Sequence, residues 1–409
     1  VLTIIVSGSY PALVMSSFQP ANILKGTIDF SGGRRGSVIF RKVLVSTQFT
    51  ISILLIVGTI VVANQISFMR NTNLGYENDY LIYFIKRGNI RAQFDAFKNE
   101  LLNDPGVLAV TASSDIPTYT VHSSSGVSWE GMAEDFNLMI HQFTIDKDYL
   151  KTMDIALLEG RNFFPESSEK PNSEFILNET AVKMMNLDEP IGKMFNLWNN
   201  RGEIIGVIKD FHYKSLHEPI EPLVMRIDPG NDSYVIARIN ADNIENTIEH
   251  IENTVLSFNP EFPFQFTFVD DELNRLYDAE RRTGKVFNYF AVIAILISCL
   301  GIYGLAAYTA QQRTKEIGVR KVLGASMRII LYMLSKEYLI LITVANVIGW
   351  PVAWYAMNRW LDNFAYRIEV GWLVFVLSGL AALLIALFAA SFQSIRAARA
   401  NPVDSLRYE

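Results

Sequence analysis

Four uncharged apolar stretches punctuate the chain, at Val43–Met69, Val286–Gln312, Tyr338–Asn358 and Val370–Ile395. A bilayer core about 30 Å thick takes roughly 20 apolar residues of helix, since each residue rises about 1.5 Å. Each stretch meets that length, so four transmembrane helices are predicted. Between the first two the pattern changes to short runs of soluble character. Tyr80–Phe84 reads as a strand, Arg91–Asn103 as an amphipathic helix, and Val107–Ala112 as a second strand after the turn at Asp104-Pro105-Gly106. The unit recurs as Ser233–Arg238, a helix over Ala241–Phe258 ended by Asn259-Pro260, and Phe264–Val269. Two strand–helix–strand units of this kind fit one sheet as a split βαβ lobe. The strand-rich piece Thr118–His217, punctuated by Gly and Pro, is expected as a second lobe inserted in the first.

Lys and Arg orient the spans, because basic residues in short connections stay on the cytoplasmic side. Lys25, Arg34, Arg35, Arg41 and Lys42 precede the first span. Arg313, Lys315, Arg320, Lys321, Arg328 and Lys336 fill the link between the second and third, and Arg396, Arg399 and Arg407 follow the fourth. The link between the third and fourth holds only Arg359 and Arg367. Both ends are therefore expected in the cytoplasm and the long segment between spans one and two outside. Trp350, Trp354, Trp360 and Trp372 gather at the outer ends of spans three and four, as in an aromatic belt. The fold class is thus membrane α-helical, with four transmembrane helices, plus an extracytoplasmic α+β domain of two lobes. The first span and the residues after it, to about Asn73, can make a helix of roughly 30 residues and about 45 Å, longer than the membrane is thick. Leu273–Lys285 has helical composition with no breaker except Gly284, so two helices are expected to project as a stalk. Val1–Val14 is apolar but too short to span and lacks a basic lead, so the chain is expected to begin inside an earlier membrane helix.

Composition narrows the function. The 409 residues are 50% apolar by type with a net charge of −6, and no basic face argues for nucleic acid. The single cysteine, Cys299, lies in an apolar span, which excludes an internal disulfide and a thiolate zinc set. His212 and His217 with Asp210 and Glu218 have a spacing that does not put two imidazoles on one helix face, and Asp270, Asp271 and Glu272 read as a solvated helix start favoured by the macrodipole. No catalytic or metal residues are assigned, for the chain has neither a nucleophile elbow, nor HExxH, nor an EF-hand loop. It also lacks G-x-x-x-x-G-K-[ST], so no cofactor is expected on this chain and any ATP used is bound by another polypeptide. No span carries an internal charge, which argues against an ion or proton path. Gly58, Gly301, Gly304 and Gly379 are small residues suited to close helix approach.

The most specific segment is RTKEIGVRKVLGASM, Arg313–Met327. Ile317, Val319, Val322 and Leu323 offer an apolar edge and Lys315, Glu316, Arg320 and Lys321 supply charge, so a short helix can lie on the membrane surface or dock in a partner's groove. This stretch resembles the coupling segment of MacB/FtsX-like ABC permeases, approximately R-x-x-E-I-G-[IV]-R-[KR]-A-[LI]-G-A. Arg313, Glu316, Ile317, Gly318, Val319, Arg320, Lys321, Leu323, Gly324 and Ala325 match it, and Val322 departs where alanine is usual. The ending Ile395–Glu409 resembles the family's A-x-x-x-N-P-[IV]-x-[AS]-L-R through Asn401, Pro402, Val403, Ser405, Leu406 and Arg407. Leu157–Phe163, Ile176–Val182, Pro190–Lys193 and Ile204–Leu216 resemble stretches of its periplasmic core domain.

Within the chain, Ser16–Gly26 echoes that ending, with Pro20, Leu24 and Lys25 against Pro402, Leu406 and Arg407, as expected of the second half of a tandem permease. The resulting division places the end of a preceding half at 1–26, a cytoplasmic lead-in at 27–42, the first span and stalk at 43–73 and the periplasmic core domain at 74–272, with its inserted lobe at about 118–217. Stalk and second span follow at 273–312, the coupling segment at 313–337, spans three and four at 338–395 and a cytoplasmic tail at 396–409.

The resemblance implies a permease subunit in the bacterial inner membrane. It would pass ATP-driven movement from a separate ABC ATPase to the periplasmic domain, in efflux or extrusion of an antimicrobial, peptide or lipoprotein. Its rival within the family is an FtsX-like scaffold that controls a cell-wall hydrolase without transport. The implied partners are the ATPase, membrane lipid, another permease half, and a periplasmic adaptor or hydrolase. The implied ATPase-coupling residues are Arg313, Glu316, Ile317, Gly318, Val319, Arg320, Lys321, Leu323 and Gly324.

Overall fold

The computed structural model describes residues 31–118, 122–133 and 135–399. The expected end of a preceding half at 1–26 and the closing motif at 401–407 lie outside the described residues. The chain divides into two units: one holds the chain up to Ile60, Val286–Met357 and the chain from Val370, the other Val61–Lys285 with Asn358–Glu369.

Helix α1 (Ser31–Asn71) takes in most of the expected lead-in as well as the first span and its projection. The outer domain follows with β1 (Leu81–Ile85), α2 (Gly88–Ala92), α3 (Phe94–Leu101), β2 (Val107–Ser113), β3 (Ser123–Ser124), β4 (Val127–Trp129), β5 (Ile140–Thr144) and α4 (Tyr149–Met153). It continues through β6 (Leu157–Gly160), β7 (Glu174–Asn178), α5 (Glu179–Met184), β8 (Met194–Leu197), β9 (Asn200–Ile208), β10 (Leu223–Arg226), β11 (Tyr234–Ile239), α6 (Ile244–Phe258) and β12 (Thr267–Phe268). Then come α7 (Val269–Leu276), α8 (Asp278–Gln312), α9 (Thr314–Val322), α10 (Met327–Leu361) and α11 (Trp372–Arg399). Among the described residues α1, α8, α10 and α11 are the four helices long and apolar enough to cross a bilayer.

In the span unit several hydroxyls are satisfied within their own helix, as suits a lipid environment. Thr50, Ser52 and Thr59 each donate to the carbonyl four residues back, and the Ser52 and Ser298 hydroxyls meet at 3.0 Å. Of the four glycines singled out, two make close approaches: a Cβ at Gly301 would lie 2.7 Å from Gln48 Oε1, and one at Gly379 2.7 Å from Asn346 Oδ1. Gly58 has ordinary room and Gly304 no neighbour within 4 Å, so glycine is not demanded there by packing.

The outer domain has two sheets. The first, ordered β12-β1-β11-β2, is antiparallel throughout, with α3 and α6 covering one face through Phe97, Leu101, Ile251 and Val255. This is the arrangement of a split βαβ unit. The second, ordered β3-β5-β10-β7-β9-β8-β4 with β6 on β9, is mixed: β5 runs parallel to β10 and β7 to β9. Alternate side chains of β7 and β10 serve opposite cores, Ile176 and Met225 on one side and Phe175, Leu177 and Val224 on the other. Both faces are covered, which is why Leu223–Arg226 reads as an unbroken buried run without alternation.

That run corrects the expected lobe boundary. β10 sits between β5 and β7 at the middle of the second sheet, so the inserted lobe extends past His217 to Arg226. The stalk before the second span is not the one helix expected over Leu273–Lys285, because it breaks at Tyr277 (φ −108°, ψ 15°), while Gly284 lies inside α8. The Leu216 N–H donates to the Tyr277 hydroxyl at 3.1 Å and the His217 ring stacks beside the Tyr277 ring, tertiary contacts that hold this residue out of the helix.

Candidate coupling segment

Arg313, with φ −99° and ψ 14°, separates α8 from α9. Its guanidinium lies 2.5 Å from Glu337 Oε1, and Lys42 Nζ lies 3.0 Å from the other oxygen of the same carboxylate. One acid on α10 therefore holds a base from α1 and one from the α8–α9 joint. Further along, Ile317 is 4% exposed and packs with Ile330, Leu334 and Met333 of α10. Gly324 closes the turn with φ +86°, a conformation in which a Cβ is strained, while the Ala325 N–H donates to the Arg320 carbonyl at 2.9 Å. Ser326 then starts α10 by accepting the Ile329 and Ile330 N–H groups.

The apolar edge expected from the sequence is divided. Val319, Val322 and Leu323 follow i, i+3, i+4 spacing and share the outward face, with Leu323 79% exposed. Ile317 stands two residues before Val319, about 200° around the helix, and faces inward. Glu316 and Arg320 form a half-exposed i, i+4 pair at 2.8 Å beside the apolar triad. Gly318 is buried within α9 and has no positive φ, so the turn explanation belongs to Gly324 alone. Lys321 is half-buried near the helix end. Sequence reading missed Glu337 and Lys42; the only available signal was an isolated carboxylate at the edge of the third span.

A second constellation lies within the outer unit. The link Asn358–Glu369 bonds to the segment after β9, with the Ala365 N–H donating to the His217 carbonyl (3.1 Å) and the Tyr366 N–H to that of Leu216 (3.2 Å). His217 stacks on Phe364 with centroids 4.4 Å apart, and its Nε2 lies 3.2 Å from Glu280. His212 meets the Tyr366 ring edge-on, and burial lowers its pKa against the upward pull of Asp210. Gln65, fully buried, uses both ends of its amide: Nε2 donates to the Tyr366 carbonyl at 3.0 Å and Oε1 accepts the Ile368 N–H at 2.9 Å. The two histidines set aside as metal ligands are thus joint residues. Among the described residues no group of three His, Cys, Asp or Glu side chains converges for a metal.

A family model described as FtsX-like permease C-terminal matches residues 288–402, which include α9 and both flanking spans. An ABC transporter permease of Bacillus subtilis (strain 168), YknZ, is 21% identical over 280 residues, covering 65% of this chain and 69% of that one. Residues 288–402 of this chain match an FtsX-like permease C-terminal domain, and the relatives of the chain are ABC transporter permeases. The permease is also 24% identical over 219 residues to the macrolide export ATP-binding/permease protein MacB of Aggregatibacter actinomycetemcomitans, covering 51% of this chain and 34% of that protein. It therefore spans about a third of that relative. The crystal structure of the periplasmic region of MacB from Actinobacillus actinomycetemcomitans superposes with a TM-score of 0.35 at 17% identity, covering 51% of this chain and 97% of the other. The permease is a multi-pass inner-membrane protein with its sheet-rich domain on the outer side.

Proposed function

We propose that this permease receives the stroke of a separate ABC ATPase at α9 and passes it to the outer domain. The observation that carries the reading is the exposed triad Val319, Val322 and Leu323, on a helix clamped to α10 by Ile317 and tied through Arg313, Glu337 and Lys42. An apolar face of this kind, flanked by the Glu316–Arg320 pair, suits insertion into a partner's groove. Being clamped, the helix would carry a push into the spans instead of pivoting freely. On the outer side, Gln65 of α1, Glu280 of α8 and the α10–α11 link meet in the joint around His217, so a shift of the span ends would be delivered to the domain. The coupling residues are Arg313, Glu316, Ile317, Gly318, Val319, Arg320, Lys321, Leu323 and Gly324, with Val322 added by its exposure. By its likeness to a macrolide export protein, the work performed is proposed to be extrusion, with ATP bound by the partner.

The test is co-purification of the ATPase with variants that reach the membrane at wild-type level. Leu323→Glu and Val322→Glu place a charge on the docking face and are expected to weaken association tenfold to a thousandfold, about 1.4 to 4 kcal/mol. Glu316→Lys and Arg320→Glu should act in the same direction, while folding loses the half-exposed pair, about 0.3–0.5 kcal/mol, and for Arg320→Glu also the contact with the Met333 sulfur. If all four variants insert normally and still hold the ATPase at wild-type affinity, α9 is not the docking helix.

A further inference from the structure

The two lobes of the outer domain enclose a cleft of about 280 Å³, walled by α2 and α3 from one lobe and by the residues just past β5 and β10 from the other. Its charges are unevenly matched. Among its lining acids Asp232 pairs with Lys86 at 2.6 Å, Asp146 with Lys98 at 2.6 Å and Asp228 with Arg226 at 2.9 Å, and of these three cations only Lys86 lines the cleft. The Asp232 side chain is 8% exposed, lines the cleft, and keeps Oδ1 without a hydrogen-bond partner while Oδ2 holds Lys86. Lys86 also sits 3.9 Å from the centre of the Phe94 ring, a second contact that holds this cation in place. A buried carboxylate oxygen of this kind calls for a donor. Of the other charged lining residues, the exposed Arg91 and Asp95 and the half-buried Lys147 are in no ion pair among the described residues.

We infer that this cleft binds a small amino-carboxylate, its ammonium donating to Asp232 Oδ1 at the inner end and its carboxylate held by Arg91 and Lys147 at the mouth. The orphan Asp232 oxygen favours the ammonium, and Arg91 and Lys147 against the single Asp95 favour the carboxylate. An arginine fork is suited to grip a carboxylate in two places. The site goes beyond the coupling reading and does not depend on it, since occupancy requires neither the ATPase nor ATP.

The test uses the full chain in lipid nanodiscs without nucleotide, titrated near neutral pH with ω-amino acids from glycine to 6-aminohexanoate and with the matching amines and carboxylates. Calorimetry or ligand-observed NMR reads the binding. At least one amino acid should bind saturably, with its amine-only and carboxylate-only analogues at least tenfold weaker. Asp232→Asn should weaken the amino acid at least tenfold. Should that variant fail to fold, because Lys86 loses its counter-charge, Arg91→Glu decides, for Arg91 is exposed and unpaired. Arg91→Glu should weaken the amino acid at least fivefold and leave the amine analogue unchanged. Absence of saturable binding across the whole series, one-ended analogues within twofold of the amino acid, or an Arg91→Glu variant that binds as the wild type does would each overturn the assignment.

Discussion

Asn178 ends β7 and caps α5 by accepting the Ala181 N–H at 3.0 Å, while the same oxygen accepts the Leu223 N–H at 2.8 Å. Its amide nitrogen donates to Asp210 and to the Glu221 carbonyl, so one fully buried side chain joins a strand end, a helix start and the entry to β10. The cap bond is local, three residues along the chain, whereas the side chain's three other bonds reach 32 to 45 residues away and leave no local pattern. Histidines in the same region make the domain acid-sensitive. Burial lowers the pKa of His141, with Lys214 adding to the effect and Glu221 opposing it, and burial also lowers that of His212. Because the folded values lie below the ordinary 6.5, the unfolded chain takes up these protons first as the pH falls. Stability from this source is complete above about pH 6.5 and is lost as the pH drops towards the lowered folded values. The melting temperature should therefore fall from about pH 7.5 to about pH 5.5, and His141→Gln with His212→Gln should flatten that slope. An unchanged slope in the double variant would show that other groups set it.

At the scale of elements, the Gln65 clamp is what the apolar pattern of α1 hides. A lone glutamine in a span reads as a tolerated polar residue, yet its amide fixes two backbone groups of the α10–α11 link. Gln65→Leu keeps the volume and removes both bonds, each contributing about 0.5–1.5 kcal/mol. Hydrogen exchange at the Ile368 amide should then rise by one to two orders of magnitude, with ATPase association through α9 unchanged. Protection equal to wild type would mean that the link is held without Gln65. The same lesson applies to α7 and α8, where helix composition predicted continuity and a tyrosine contact broke it at Tyr277.

For the whole molecule, topology is the decisive property. Asn199 is exposed on the second lobe and Ser326 is exposed in the turn between α9 and α10. In a Cys299→Ala background, Asn199→Cys should react with a membrane-impermeant maleimide on intact cells and Ser326→Cys only after permeabilisation. Reaction at Ser326 from outside would invert the orientation drawn from the Lys and Arg distribution. Ser124 also lies on the outer domain, but it is 7% exposed and a cysteine there would label poorly on either side.

Span number, the existence of a mixed outer domain, the strands of the first sheet and the α9 segment were all legible in the chain, because each rests on local composition or on a period of two or about 3.6 residues. The first lobe was readable for the same reason: its elements alternate regularly and pair as a split βαβ unit would. Long-range contact decided the rest. β10 joined the second sheet because a short strand buried on both faces has no periodic signature, and only its neighbours β5 and β7 define it. The face of α9 that turns inward was settled by where Ile330 and Leu334 stand, and Glu337 became a clamp only when the fold brought Arg313 and Lys42 to it. Likewise Asp232 and Arg91, 141 positions apart in the chain, share a cleft because two sheets close against each other. Charge balance inside such a cleft depends on distances that a sequence does not contain.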